Sequence, residues 1–394
     1  MIFQKRLIWW NSIDLKALAN IIFIMLIGML LLTSAGSGTA EKLGLPYYFF
    51  IKKQLIFLLI GILTIFILSA LDEKYIKKMI LIGFILTLIS LVSMIFFGST
   101  IKGSKRWMNI GGLSLQPSEF LKPFYTCFLA IILSHTKKKI NMKKFSICIL
   151  LNILVAILLL LQPDFGMTIT NTIVTFSLFF VAGIKLSWLF LFLVTLVCSI
   201  YGAYLFLPHV TKRFDNFMNP INSSNYQVRQ SLSSYLNSGF FGKGPGEGTI
   251  KYALPDAHTD FIFAVGAEEF GLIFCIIVII AFAIFILRAL WNLTKSSNLF
   301  HIYAIYTIVI HFAIQLLFNI GVTLNLFPTK GMTLPFISYG GSSVLAFSIS
   351  AGIYLNLSKD HKLNHLSRNK KFLFVEDYSK KVINKKNMDT LRYK

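Results

Sequence analysis

Ten apolar runs of membrane-spanning length punctuate this chain, and they limit its possible folds more than any other feature. They fall near 17–35, 55–71, 79–97, 117–134, 146–161, 167–183, 186–207, 261–287, 300–322 and 335–357. A run of about 20 apolar residues crosses a bilayer core. Hydrocarbon offers no partner for backbone N–H and C=O groups, so such runs fold as helices. Composition agrees: 56% of the 394 residues are hydrophobic and 14% charged, against about 25% charged in a soluble domain. The expectation is an all-α integral membrane protein with ten transmembrane helices within residues 1–358. The first run exceeds the apolar core of about 7–15 residues in a signal peptide, and no cleavage site follows it. It is read as a retained helix.

Charge sets the orientation. An even number of spans puts both termini on one side. With that side cytoplasmic, 25 of the 38 Lys and Arg lie there, 12 lie opposite, and Lys122 sits within a span. The cytoplasmic set includes Lys137, Lys138, Lys139, Lys143 and Lys144 in one short loop, as the positive-inside rule expects. Lys52 and Lys53 go against it. The tail from 359 to 394 adds 11 basic and 4 acidic residues. It is expected to be a disordered cytoplasmic segment that touches anionic lipid. The net charge of +22 is thus mostly topological. No basic folded domain exists to bind nucleic acid.

The largest gap, 208–259, is one extracytoplasmic loop between the seventh and eighth spans. With the gaps at 98–116 and 323–334 it carries a surplus of cations on a face where the rule predicts few. That surplus is either ordinary solvated charge or a site for an anion such as a lipid-linked phosphate. GFFGKGPGEG at 239–248 lacks P-loop spacing and a preceding strand, so it is read as a flexible turn. Cys127, Cys148, Cys198 and Cys275 all fall within spans without metal spacing and are read as buried thiols.

Ionisable residues inside spans are costly and face a cavity or a partner. Glu119 and Lys122 are spaced i,i+3 and can pair on one face. Glu268 and Glu269 lie about two turns inside the eighth span. Each site is read either as a functional group or as an ion pair that locks helices together.

ALPDAHTDFIFAV at 253–265 places Asp256, His258 and Asp260 against a long apolar run. Thr259 or Asp260 can cap the helix that follows. Asp260 can equally act as a base, half-desolvated at the membrane face. One carboxylate suffices when the leaving group is a diphosphate, because it departs without a proton and needs only cations or a metal.

Four stretches carry a resemblance. LPDAHTDFIFAVGAEEFG, GSKRWMNIGGLSLQPSEFLK (103–122), the QPDFG turn and NIGVTLNLFPTKGMTLPFISYGGSS (319–343) resemble the signatures of the SEDS family, the FtsW and RodA group of bacterial cell-wall polymerases. PTKG resembles the cell-division branch. The resemblance implies a peptidoglycan glycosyltransferase of the bacterial cytoplasmic (inner) membrane, placed at the division septum. It would polymerise lipid II, attacking undecaprenyl-diphosphate-linked glycan, beside a class B penicillin-binding protein (a transpeptidase) and other divisome proteins. It carries the catalytic role onto Asp260 and a site-lining role onto Trp107. Arg106, Lys243, Lys330 and Lys105 become candidates for the diphosphate, and His258 joins the substrate-binding set. A divalent cation, magnesium or manganese, is a further candidate with no ligand cluster to mark it. Asp256 stands where many members have Glu, GAEEFG replaces GEELG, and the glycine-rich insert departs from the pattern. Two other readings remain: a lipid II flippase, which would use the intramembrane charges, and a non-catalytic divisome scaffold.

Overall fold

A computed structural model describes residues 9–10, 12–101, 104–110, 113–135, 142–218, 226–328 and 331–359. Every apolar run coincides with helix. They are α1 (Leu15–Lys42), α2 (Phe49–Ala70), α3 (Glu73–Phe97), α4 (Leu121–Ser134), α5 (Met142–Leu161), α6 (Phe165–Val181) and α7 (Leu186–Phe206). The long gap holds α8 (Pro208–Met218), α9 (Tyr226–Leu236) and α10 (Ile250–Ala253). Then follow α11 (Ile262–Leu293), α12 (Leu299–Thr323) and α13 (Gly341–Leu357). Among the described residues seven of these helices are long and apolar enough to cross a membrane, and α6 and α13 are shorter apolar helices. A 3-10 turn, Pro117–Phe120, extends α4 at its start.

Local chemistry sets several helix starts. The Asp14 carboxylate accepts from Ala17 N at 3.2 Å, Asp164 from Met167 N at 3.2 Å, and Asn298 from Phe300 N at 3.0 Å. Each satisfies one of the free N–H groups of a first turn. Asp14 also binds Arg288 and Asn292 and accepts from Tyr354, tying α1 to the ends of α11 and α13. Burial alone would raise its carboxyl, but those bonds outweigh burial and hold it below the usual range.

The outer faces are apolar, with Leu26, Leu59, Ile89, Leu150 and Leu287 exposed, as a lipid-facing surface requires. α12 is the most enclosed of the long helices, and α7 buries none of its apolar length. α13 packs along α2, α1 along α11, and α4 between α3 and α12. Side-chain hydrogen bonds reinforce this packing. The Tyr125 hydroxyl donates to Asn152 at 3.1 Å and pairs with Thr175 at 3.1 Å, linking α4, α5 and α6.

Three features depart from the expectations. The gap at 98–116 is not plain loop but a small antiparallel sheet of β1 (Ser99–Ile101), β2 (Ser104–Ile110) and β3 (Leu113–Leu115) in that order. Cys198 is exposed on α7, while Cys127, Cys148 and Cys275 are buried. The glycine-rich stretch is not a free turn. α11 breaks at Gly271, whose φ of 79° and ψ of −173° lie outside the helical region. The break strands Glu268 O, Glu269 O, Leu272 N and Ile273 N. Residues 239–244 satisfy all four: Lys243 N donates to Glu268 O and Gly244 N to Glu269 O, while Gly239 O and Phe240 O accept from Leu272 N and Ile273 N, at 2.9–3.3 Å. A Cβ on Gly271 would stand 2.3 Å from Phe240 O, so only glycine permits this approach. A broken helix is tolerated at membrane depth where protein re-satisfies its backbone.

Candidate active site

Asp260 stands two residues before the start of α11. The cap position falls on Phe261, whose side chain makes no capping bond. The turn beneath it is held by Asp256 at φ 57°, a conformation that Asp tolerates better than most residues. The Asp256 carbonyl accepts from Thr259 N and Asp260 N, both at 3.1 Å. This turn leaves Asp260 half-buried at the helix mouth.

The wall opposite is the segment between α12 and α13. Residues 332 and 334–338 are buried and Thr333 half-buried although they are not helical, so their backbone needs partners from elsewhere. The Asn319 amide donates to Met332 O at 2.7 Å and Gln315 to Thr333 O at 2.8 Å. Gln54 donates to Ser338 O at 3.2 Å, and Tyr339 N donates to His258 O at 2.9 Å. The Ser338 hydroxyl donates to Thr259 O. The segment is thereby stitched to the 258–260 turn. Gly331, at its start, lies so close to Asp260 that a Cβ there would stand 3.0 Å from Oδ2. Lys330, the residue before it, lies outside the described residues.

His258 is nearly buried. Its Nδ1 lies 3.1 Å from Thr39 Oγ1 and its ring clusters with those of Phe50 and Tyr339, with centroids 4.4 and 5.4 Å away. It therefore braces the turn from α1 and α2.

Several predicted ligands of an anion turn out to have partners within the chain. Lys243 pairs with Glu268 at 2.7 Å. Glu268, fully buried, also accepts from Thr249 N at 3.2 Å and Ile250 N at 3.0 Å. Glu269 pairs with Lys251 at 2.9 Å and accepts from the Ser34 hydroxyl, both side chains almost wholly buried. These charges weld the loop to the broken helix. Arg106, on β2, donates to Gln162 O at 3.2 Å and to Pro163 O, and lies 3.6 Å from Asp164. It clamps the QPDFG turn. Trp107 is half-buried beside it on β2, and Lys105 occupies the strand position opposite Thr100. Glu119 and Lys122 pair at 2.6 Å, with the ammonium 4.7 Å from the Phe347 ring centroid.

The sheet joins the wall through polar contacts. Ser118 reaches Asp164 at 3.5 Å, Gln116 Nε2 reaches Ser118 at 3.0 Å, and Gln116 N donates to Ser342 at 2.8 Å. Thr333 pairs with the neighbouring Ser343 at 2.7 Å. Stretches far apart in sequence are thus linked into one assembly around the 256–260 turn. Gln54, Gln315 and Asn319 escape the sequence reading, while Lys251, one of the outward cations, pairs with Glu269. One signal for two of them exists: Thr307, His311, Gln315, Asn319 and Thr323 recur every fourth residue along α12 and are all buried, which puts them on one face. Among the described residues no group of three or more His, Cys, Asp or Glu is placed to hold a metal ion.

A family model described as cell cycle protein, covering FtsW, RodA and SpoVE, matches residues 15–363. The chain is 34% identical over 351 residues to a probable peptidoglycan glycosyltransferase FtsW of Caulobacter vibrioides, covering 89% of this chain and 90% of that one. It is 36% identical over 370 residues to the protein of the same name from Coxiella burnetii, covering 90% and 98%. In fold it is similar to a chain from a peptidoglycan synthase complex in which polymerization and crosslinking are coordinated. That match has a TM-score of 0.76 at 24% identity and covers 89% of this chain and 98% of that one.

Proposed function

This chain belongs to the FtsW/RodA/SpoVE family, and from that premise we infer that it is a peptidoglycan glycosyltransferase whose general base is Asp260. It polymerises lipid II at the outer face of the bacterial inner membrane during septum synthesis. Ten membrane crossings leave both termini and the basic tail in the cytoplasm and residues 208–259 outside. It works beside a class B penicillin-binding protein that crosslinks the strands it makes.

The observation that carries the assignment is the site of Asp260. Its carboxylate is half-buried at the mouth of α11, does not occupy the cap position, and faces the Gly331 segment at contact distance. Asp260 removes the proton from the 4-hydroxyl of the acceptor GlcNAc. That oxygen forms a bond to C1 of the lipid-linked MurNAc. The bond from C1 to the diphosphate oxygen breaks, and undecaprenyl diphosphate leaves with the electron pair. Attack from the opposite face converts the α-linkage to β-1,4. No second carboxylate is required, since a diphosphate is a stable anion at neutral pH.

Stabilising that anion needs positive charge aimed at it. Arg106 and Lys243 have partners within the chain, and our candidate for that charge is Lys330, joined to Gly331 beside Asp260. Lys330→Ala should lower kcat/KM for lipid II by roughly 10²–10³-fold, measured as initial rates of polymer formation. Gly331→Ala should lower kcat by about tenfold, because its Cβ would displace the carboxylate by a few tenths of an ångström.

The reading is tested by giving the purified protein, with its transpeptidase partner, lipid II in detergent and resolving the products by size. Glycan chains support it. Transbilayer movement of lipid II in vesicles without polymer would replace it with a transporter, and neither activity would leave a scaffold.

A further inference from the structure

The amide of Asn319 makes two hydrogen bonds from a single nitrogen. Nδ2 donates to the backbone carbonyl of Asp260 at 3.0 Å and to that of Met332 at 2.7 Å. The residue sits on α12, 1% exposed. It is the described side chain that donates to both the turn carrying the base and the segment that begins at Gly331. Because both acceptors are carbonyls, the amide orientation is set by chemistry: the nitrogen must face them. Its Oδ1 is consequently turned the other way, buried and without a partner among the described residues. A buried acceptor left open is a cost that a fold rarely carries without reason. A residue serving only to fill the space would be an apolar one of similar size.

We propose that Asn319 is a positioning residue for the transfer reaction: it sets the distance between the Asp260 carboxylate and the Gly331 segment by holding both backbones at once. The proposal rests on Asp260 being the base. Its logic is geometric. The turn at 256–260 is built on backbone bonds to Asp256 O, which hold it to itself and not to the opposite wall. Ser338 and Tyr339 tie that wall to Thr259 and His258. Asn319 reaches the Asp260 peptide itself from outside the turn, at its carbonyl. Without it the carboxylate keeps its identity and its access to solvent but loses its register with the acceptor hydroxyl. Such a loss falls on kcat and leaves substrate affinity largely intact, since misplacement of about 1 Å at a reacting group costs about 10²-fold.

The test is a double-mutant cycle in the full-length protein with its transpeptidase partner, read as lipid II polymerisation at limiting and saturating substrate. Asn319→Leu keeps the branched outline and heavy-atom count and removes the nitrogen that makes both bonds. It should lower kcat by roughly 10–10²-fold with KM within about threefold, in a protein that stays folded at the assay temperature although two carbonyls lose their donor. Asp260→Glu already displaces the carboxylate by one methylene, so adding Asn319→Leu to it should cost less than about threefold more, because residues acting as a unit are not additive. Multiplication of the two effects, or wild-type kcat in Asn319→Leu, overturns the proposal. If Asn319→Leu unfolds early, Asn319→Ser decides: one donor retained should give a kcat between wild type and the Asp260→Glu level, and wild-type kcat overturns the idea. Failure of the underlying reading looks different, because Asp260→Glu and Asp260→Asn would then both polymerise at the wild-type rate.

Discussion

Asp260→Asn is expected to lower the rate of glycan synthesis by roughly 10²–10⁴-fold, the usual contribution of a positioned base. The substitution is nearly isosteric. The backbone carbonyl of Asp260 still accepts from Asn319, and the backbone N–H still reaches Asp256 O. What disappears is the lone pair able to take a proton from a sugar hydroxyl. The measurement is initial polymerisation rate with purified protein and partner, alongside thermal unfolding and co-purification of the transpeptidase, both of which should match wild type. Full turnover by the Asn variant would remove Asp260 from the chemistry. A loss of polymer together with a lowered unfolding midpoint would assign it a structural role instead. The expected pattern separates the base reading from the cap reading, because α11 begins at Ile262 and its cap position falls on Phe261, not on Asp260.

The helices are legible in the sequence because hydrophobic periodicity plays no part in them: unbroken apolar length is enough, and each run meets a helix. The mouth of α11 is legible because Asp256, His258 and Asp260 stop an apolar run abruptly. The i,i+3 pair of Glu119 and Lys122 follows from helix geometry. The break at Gly271 is not legible, since glycine within an apolar run gives no sign of φ. Nor are the pairs that seal it. Lys243 and Glu268 are separated by 25 positions and Lys251 and Glu269 by 18, and no local rule joins charges at such spacing. Arg106 looks like a ligand for phosphate in the sequence because it is an outward cation. It is a clamp in the fold because the QPDFG turn exposes two carbonyls that need donors. The same logic explains the wall at 332–338: it reads as the start of a span, yet proline at 335 and backbone held by Gln54, Gln315 and Asn319 keep it out of helix until Gly341.

Lys251→Met should produce the largest loss of stability of any single charge removal in the loop. Lys251 and Glu269 are 2% and 1% exposed at the side chain and 2.9 Å apart. Removing one partner of such a pair leaves an uncompensated buried charge, at a cost of about 3–5 kcal/mol. Glu269 would retain only the Ser34 hydroxyl and Gly246 N, at 3.0 Å from the latter, as donors. Lys243→Met is the control. Its side chain is 35% exposed, so solvent screens the pair, and Glu268 keeps Thr249 and Ile250 as donors. Its loss should be distinctly smaller. The double variant Lys251→Met/Glu269→Gln removes the orphaned charge and should recover most of the stability, since a buried pair replaced as a unit is often close to neutral. Thermal unfolding in detergent reads all four proteins, and polymerisation should track unfolding and not fall independently, because neither residue meets substrate. If Lys251→Met unfolds no earlier than Lys243→Met, the ion pair is not what keeps the glycine-rich loop inserted. The four backbone bonds across the Gly271 break must then hold it alone.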